Sequence, residues 1–238
     1  MRNGILILSL ALAAGPALAA DPPADEPVHK GKKLSEYVKL LEDKDPEVRG
    51  EAAHAIGVIG KKAKSAVPAL IKALKDDDDS VRDWACYAIS NIGADAKEAV
   101  PTLKELLLKD KKIHVRRVAA TALGSMRTAG KPAVGALRET LKDEDPWMRH
   151  FSAVALGAIG EGAKDAVPDL VKAFEDIEYV VQKSAVESVG QIGPAAKEAV
   201  PALLRVWKDD KEYDLTRKAA AESLKQIDPE AARKAGVP

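Results

Sequence analysis

The chain has 238 residues, 37 basic and 37 acidic side chains, and only 4% aromatic residues. The missing basic excess argues against a nucleic-acid binder, whose domains cluster positive charge. Plentiful Ala, Val, Leu and Ile with few rings favours close-packed helices over a sheet, which draws on β-branched and aromatic residues.

The first residues stand apart. Met1-Arg2-Asn3 is a short positive start, Ile5 to Ala14 is apolar except for Ser9, and Gly15-Pro16 breaks the run before Ala17-Leu18-Ala19. This pattern predicts a secretory signal peptide over residues 1–19, cut after Ala19, and hence a periplasmic or extracellular protein. A membrane anchor is the rival reading, but the run falls short of the roughly 20 residues that span a bilayer. The residue directly after the cleavage site is Ala20 and not a cysteine, which disfavours a lipoprotein anchor. Loss of Arg2 leaves the mature chain with a single excess negative charge. Residues 20–33, rich in Pro and Asp, are expected as a linker.

From Leu34 onward one unit returns about every 33 residues, the mark of a solenoid. Proline opens it at Pro68, Pro101, Pro168 and Pro201, and an aspartate follows at Asp43, Asp76, Asp110, Asp143 and Asp176. Six residues after each aspartate stands Arg49, Arg82, Arg116, Arg149 or, in the fifth copy, Gln182. The units are 34–67, 68–100, 101–134, 135–167, 168–200 and 201–238. The expected fold is an all-α solenoid of about six helix-turn-helix repeats, each burying its apolar face against the next.

In the second unit the first helix is Pro68 to Leu74, with proline in the first turn, where its missing N–H costs nothing. Asp76 to Asp79 forms the turn, and Asp79 or Ser80 is placed to cap a second helix over Val81 to Ile92. The acidic run lacks the alternating ligands and glycine of a calcium loop. Gly93 ends the helix, as Gly60, Gly160 and Gly193 do elsewhere, in an expected left-handed conformation. Counted from Arg82, the apolar positions Val81, Ala85, Ile89 and Ile92 form one stripe, which must face the core.

The residues Pro68, Asp76, Val81-Arg82, Ala85, Ala88-Ile89 and Ile92-Gly93, with their counterparts, resemble the HEAT-repeat family, in particular the short bacterial HEAT-like repeats also found in phycobilin lyases. The resemblance runs from Leu34 to Ile227. Departures are Gly135 for proline, Gln182 for arginine, and two extra residues before Arg217. It implies a superhelix whose second helices line the concave side. It also implies an Asp/Arg ladder of Asp43, Arg49, Asp76, Arg82, Asp110, Arg116, Asp143 and Arg149, paired within and between units. A pair that recurs in unit after unit is architecture; a catalytic pair normally occurs once.

Under this resemblance, positions two, five and nine after each arginine form the concave surface. They are Glu51, His54 and Val58, then Trp84, Tyr87 and Asn91, then Val118, Thr121 and Ser125, then Phe151, Val154 and Ala158, then Ser184, Glu187 and Gln191. Apolar and aromatic residues gather in the middle units between polar ends, as on a protein-binding surface. The candidate partner-binding residues are His54, Trp84, Tyr87, Asn91, Val118, Thr121, Phe151 and Val154. The rival is that curvature packs these side chains against one another. Trp147 is expected as a corner residue and Trp207 as a closure of the C-terminal end.

Cys86 is the single cysteine, so no internal disulfide is available. It reads as a small buried helix residue or, alternatively, as an intermolecular thiol. His29, His54, His114 and His150 form no HxH, HExxH or His-Glu pair, which speaks against zinc and against the di-iron chemistry of the HEAT-repeat enzyme deoxyhypusine hydroxylase. No Walker loop, GxGxxG or GxSxG occurs. The expectation is a monomeric, non-enzymatic scaffold without metal or cofactor that binds a protein or peptide on its concave face. The alternative is a lyase- or chaperone-like protein holding a small pigment or cofactor.

Overall fold

The structure, a computed structural model, describes residues 26–238. The expected signal peptide and the first part of the linker lie outside the described residues. The rest of that linker is not a free tether. Val28–His29 and Lys32–Lys33 pair as a small antiparallel hairpin, and the Leu34 amide donates to the Pro27 carbonyl at 2.8 Å. The Tyr37 hydroxyl donates to the His29 carbonyl at 2.9 Å, which ties the hairpin to the first helix.

Six helix pairs follow in chain order. They are α1 (Leu34–Leu40) with α2 (Pro46–Ile59), α3 (Val67–Ala73) with α4 (Asp79–Ile92), and α5 (Val100–Lys109) with α6 (Ile113–Ser125). Then come α7 (Val134–Thr140) with α8 (Pro146–Ile159), α9 (Val167–Lys172) with α10 (Tyr179–Ile192), α11 (Val200–Lys208) with α12 (Asp214–Ile227), and a closing helix α13 (Pro229–Lys234). The protein is an α-solenoid. None of the described helices is long and apolar enough to cross a membrane.

Local chemistry explains the punctuation. Four of the first helices, α3, α5, α9 and α11, begin one residue before the proline, so the ring sits in the first turn, where the backbone N–H has no helical partner. The cap of α4 is Asp78, one residue earlier than expected: its carboxylate accepts from the Ser80 and Val81 amides at 2.9 and 3.2 Å. Asp45 and Asp145 cap α2 and α8 in the same way. Gly60, Gly93, Gly160 and Gly193 end their helices with φ of +64° to +76° but ψ of −134° to −149°. This differs from the expected left-handed helical cap, whose ψ is about +47°; it is a region that only glycine enters cheaply. Behind each of these glycines the chain runs on as a 3₁₀ segment, Gly60–Ala66 in the first unit. In a three-residue turn, positions i and i+3 share a side, which is why Ala63 and Ala66, or Ala96 and Ala99, are both fully buried.

The stripe of α4 packs as its period requires: Val81, Ala85 and Ile89 are 0% exposed and Ile92 is 1% exposed. Cys86 is also fully buried, and burial pushes its thiol well above the ordinary range, which leaves it inert. Successive second helices lie side by side, closely enough to demand small residues. A Cβ placed on Gly124 would stand 2.8 Å from the Ala155 Cα, and one on Gly157 would stand 2.8 Å from the Ser188 Cα. Gly57 against Ala88 and Gly190 against Ser223 repeat the arrangement.

The Asp/Arg pairs bind each unit to the next. Arg49 reaches both carboxylate oxygens of Asp76 at 2.7 Å, Arg82 those of Asp110 at 2.8 and 3.0 Å, and Arg149 those of Asp176 at 2.7 Å. Arg116 reaches one oxygen of Asp143 at 2.5 Å and turns its Nε to the Leu107 carbonyl. Within a unit the contact runs to backbone instead: Arg49 donates to the carbonyls of Asp43 and Lys44. Asp43 therefore departs from the expected ladder. No described guanidinium reaches its carboxylate, which accepts from the Asp45 amide at 2.9 Å instead. The series stops at Gln182, whose Nε2 donates to the Asp176 carbonyl and whose Oε1 is buried without a partner.

Candidate functional site

The open face of the second helices carries the positions two, five and nine after each arginine. At the first of these positions exposure falls along the stack, from Glu51 and Trp84 through half-buried Val118 and Phe151 to buried Ser184, whereas Thr121, Val154 and Gln191 at the other two stay exposed. Two aromatic clusters stand on it. In the first, His54 of α2 lies 4.4 Å from Trp84 and 5.7 Å from Tyr87 of α4, and the Trp84 and Tyr87 rings meet edge to face at 5.6 Å. Two glycines of α2 make room for these rings. A Cβ on Gly50 would touch Trp84 Cδ1 at 3.4 Å, and one on Gly57 would strike the Tyr87 ring at 2.7 Å. Both glycines sit inside a helical pattern, where glycine costs about 1 kcal/mol against alanine; that cost was the overlooked signal in the sequence. Trp84 keeps 37% of its surface in solvent.

The second cluster is on α8. Phe151 lies 4.9 Å from His150 and 6.3 Å from Trp147, and Trp147 is 48% exposed. Trp147, expected as a corner residue, thus joins Phe151 instead. His150 Nδ1 shares a 2.6 Å hydrogen bond with the Ser184 hydroxyl. Burial holds this imidazole below its usual pKa. No ring contact among the described residues links Phe151 to Trp84, so these aromatic residues form two clusters rather than one continuous patch. Between them lie Val118 and Thr121 of α6, beside Arg117, which grips Asp145 through both oxygens at 2.5 and 2.8 Å. Val154 is 42% exposed, and Asn91 donates to the Gly57 carbonyl at 3.0 Å, bracing α4 on α2.

Two depressions border these rings. A cleft of about 360 Å³ lies between the N-terminal halves of α2 and α4, lined by Pro46, Glu47, Gly50, Glu51, His54, Asp78, Ser80 and Trp84. A groove of about 640 Å³ follows the C-terminal ends of the second helices past Asn91, Ser125, Arg127, Val154 and Gln191. The described residues contain no group of three or more His, Cys, Asp or Glu side chains arranged to hold a metal ion. At the far end Trp207 is half-buried, donates to the Ala235 carbonyl at 3.4 Å and carries the Arg217 guanidinium 5.7 Å above its ring, so the C-terminal segment closes over it.

Known proteins place this architecture. The chain is similar to a designed armadillo repeat protein in complex with a (KR)4 peptide, at 20% identity and a TM-score of 0.67 over 83% of this chain and all of that one. It is similar to an engineered protein at 24% identity and a TM-score of 0.63, over 85% of this chain and 97% of that one. It is also similar to the CpcE–CpcF complex of phycocyanin lyase from Nostoc sp. PCC7120, at 25% identity and a TM-score of 0.59 over 92% and 91% of the two chains. No curated protein matches it. The family model for HEAT repeats matches residues 34–124, 100–190 and 167–235. With its paired helices, inter-unit arginine–aspartate bonds and matched repeats, the chain belongs to the HEAT-repeat family.

Proposed function

We propose that the protein is an exported, non-enzymatic scaffold that binds a protein or peptide segment along the open face of its second helices. One observation carries the reading. Val58, Trp84, Trp147 and Val154 stand 37–48% exposed on those helices, while the opposite stripe of the same helices is buried. Large exposed apolar side chains with a polar rim suit an interface, and aromatic residues supply most of its energy. The likeness to a peptide-bound armadillo design supports the same use of the fold. Export rests on residues 1–19, and N-terminal sequencing of the secreted protein is expected to begin at Ala20.

The test is affinity capture from the native host, identification of the partner, and rebinding of that partner in purified form. Trp84→Ala with Phe151→Ala is expected to weaken rebinding at least about tenfold, as loss of a hot-spot pair does. Unchanged rebinding overturns the reading. A second reading, a pigment-handling protein, is favoured by the likeness to CpcE–CpcF. It requires the purified chain to bind an open-chain tetrapyrrole with a shift in its visible absorption; a spectrum unchanged by the protein removes it.

A further inference from the structure

We propose that the cleft between α2 and α4 receives an arginine or lysine side chain of the partner segment, seated on the Trp84 indole and paired with Glu47 and Glu51. This inference rests on the scaffold reading above and names the chemistry that one part of the face selects.

Charge is the first argument. The cleft lining contains three carboxylates, Glu47, Glu51 and Asp78, and no lysine or arginine; Lys30 and Lys32 of the hairpin line a separate hollow that Glu51 borders on its other side, without an ion pair to it. Asp78 is engaged as the helix cap. Glu47 and Glu51 take part in none of the described ion pairs. Several other charges on the second helices are paired: Arg117 with Asp145, Lys183 with Glu187, and Asp79 with Lys112. Glu47 gains from the positive end of α2, but Glu51 stands four residues on and repels it, a small cost to an isolated helix. With neither carboxylate held in a described ion pair, both are available to accept from a cationic guest.

Geometry is the second. The indole of Trp84 packs with His54 at 4.4 Å and with Tyr87 in a T-shaped contact at 5.6 Å, and its Cδ1 edge lies over Gly50, where a Cβ would stand 3.4 Å away. It is a fixed, partly exposed π surface beside two carboxylates that no described ion pair engages. A guanidinium can stack on such a face while its edge donates to a carboxylate, and both terms favour a cation. An apolar guest would strip water from Glu47 and Glu51 without replacing their hydrogen bonds. An acidic guest is repelled. A bare divalent ion lacks the donor set, since no metal-holding group of three is present among the described residues.

The experiment uses the mature full chain and fluorescence anisotropy with three labelled Gly/Ser nonapeptides of equal length. Their central residues are arginines, leucines or aspartates, and the salt is about 0.15 M to screen distant charge. The arginine peptide is expected to bind best. Trp84→Ala, and separately Glu47→Gln with Glu51→Gln, are each expected to weaken it about tenfold, the range of a partly desolvated cation–π contact. Ile177→Ser, in a remote exposed turn, is expected to leave it unchanged. Glu47→Lys with Glu51→Lys is expected to transfer preference to the aspartate peptide. Equal binding of the arginine peptide to wild type and all cleft variants overturns the proposal, as does failure of that peptide to bind. Tetramethylammonium that competes at the affinity of the peptide makes this a small-ammonium site and also overturns it. Tighter, Trp84-dependent binding of the leucine peptide removes the cation but leaves the scaffold reading standing. The scaffold reading falls separately, when the captured partner ignores Trp84→Ala with Phe151→Ala.

Discussion

Arg82 spans two units by itself. Its Nε and Nη2 donate to the two carboxylate oxygens of Asp110, 28 residues ahead, while its Nη1 donates back to the Asp76 and Asp77 carbonyls at 2.8 and 3.0 Å. The Arg82 side chain is 13% exposed and that of Asp110 5%. One planar group thereby closes the turn of its own unit and fastens the next.

Loss of either partner leaves the other largely buried with part of its hydrogen bonding unmet: Arg82 keeps only the Asp76 and Asp77 carbonyls, and Asp110 only the Lys112 amide. Asp110→Ala and Arg82→Ala are each expected to destabilise the protein by about 1–3 kcal/mol. Arg82→Lys is expected to recover less than half of that, since an ammonium cannot fork between two oxygens and two carbonyls. Urea unfolding of the single and double variants checks this, and the double-mutant cycle is expected to show coupling of at least about 0.5 kcal/mol.

Acid acts on the same contacts. Burial works to raise the carboxyls of Asp76, Asp110 and Asp176, but hydrogen bonds from arginine and from the amide two residues on outweigh it and hold them below the usual range. The Arg117 hydrogen bond holds Asp145 down likewise. Stability from these groups is complete well above the unfolded aspartate pKa of about 3.9 and is lost as pH falls below it through the depressed native values. Asp83, pushed up by burial, acts in the opposite sense. His150, pushed down by burial, contributes above about pH 6.5 and less as pH falls through its native value. Urea midpoints from about pH 8 to 2.5 are expected to show a shallow decline that His150→Gln removes and a steep one that Asp110→Asn reduces.

The close approach of α6 and α8 depends on one missing methyl group. Gly124→Ala is favoured by helix propensity by about 1 kcal/mol, yet its Cβ would meet the Ala155 backbone, which cannot rotate away. A net destabilisation of about 1–3 kcal/mol is expected by urea unfolding, as for other overpacked cores. A neutral or stabilising result would show that the two helices separate freely.

The seam between the fifth and sixth units lacks its arginine. Tyr179 Oη, Gln182 Oε1 and Thr216 Oγ1 are buried there without hydrogen-bond partners. Amide exchange is expected to be faster in α12 and α13 than in α4, because the last unit is held by fewer polar contacts. Gln182→Arg places a guanidinium where Asp209, already bonded to the Lys211 amide, can accept it. The expected gain is about 1 kcal/mol, read as slowed exchange in α12.

Much of the fold was legible because it is local. Val81, Ala85, Ile89 and Ile92 follow the helical period, and proline, capping aspartate and terminal glycine mark each boundary. The positive φ of Gly93 was legible too, though not its ψ, which is set by the direction of the 3₁₀ segment that follows. The site was harder to read. Trp84 and Tyr87 were legible as residues that the repeat leaves free. Their contact with His54, the split from Phe151 and the place of Trp147 were not, because ring contacts depend on how far one helix is shifted along its neighbour. Gly50 and Gly57 matter only through what α4 lays over them.

The sequence by itself determined the period, the two helices of each unit and the face each buries, since these follow from spacing along one chain segment. The tertiary structure alone decided which aspartate each arginine grips. Asp76 lies six residues before Arg82 and Asp110 lies 28 after it, and either is within the range of chemical preference. The choice is made by the translation between stacked units, which brings the next turn to the guanidinium and leaves the carboxylate of its own turn facing the unit before.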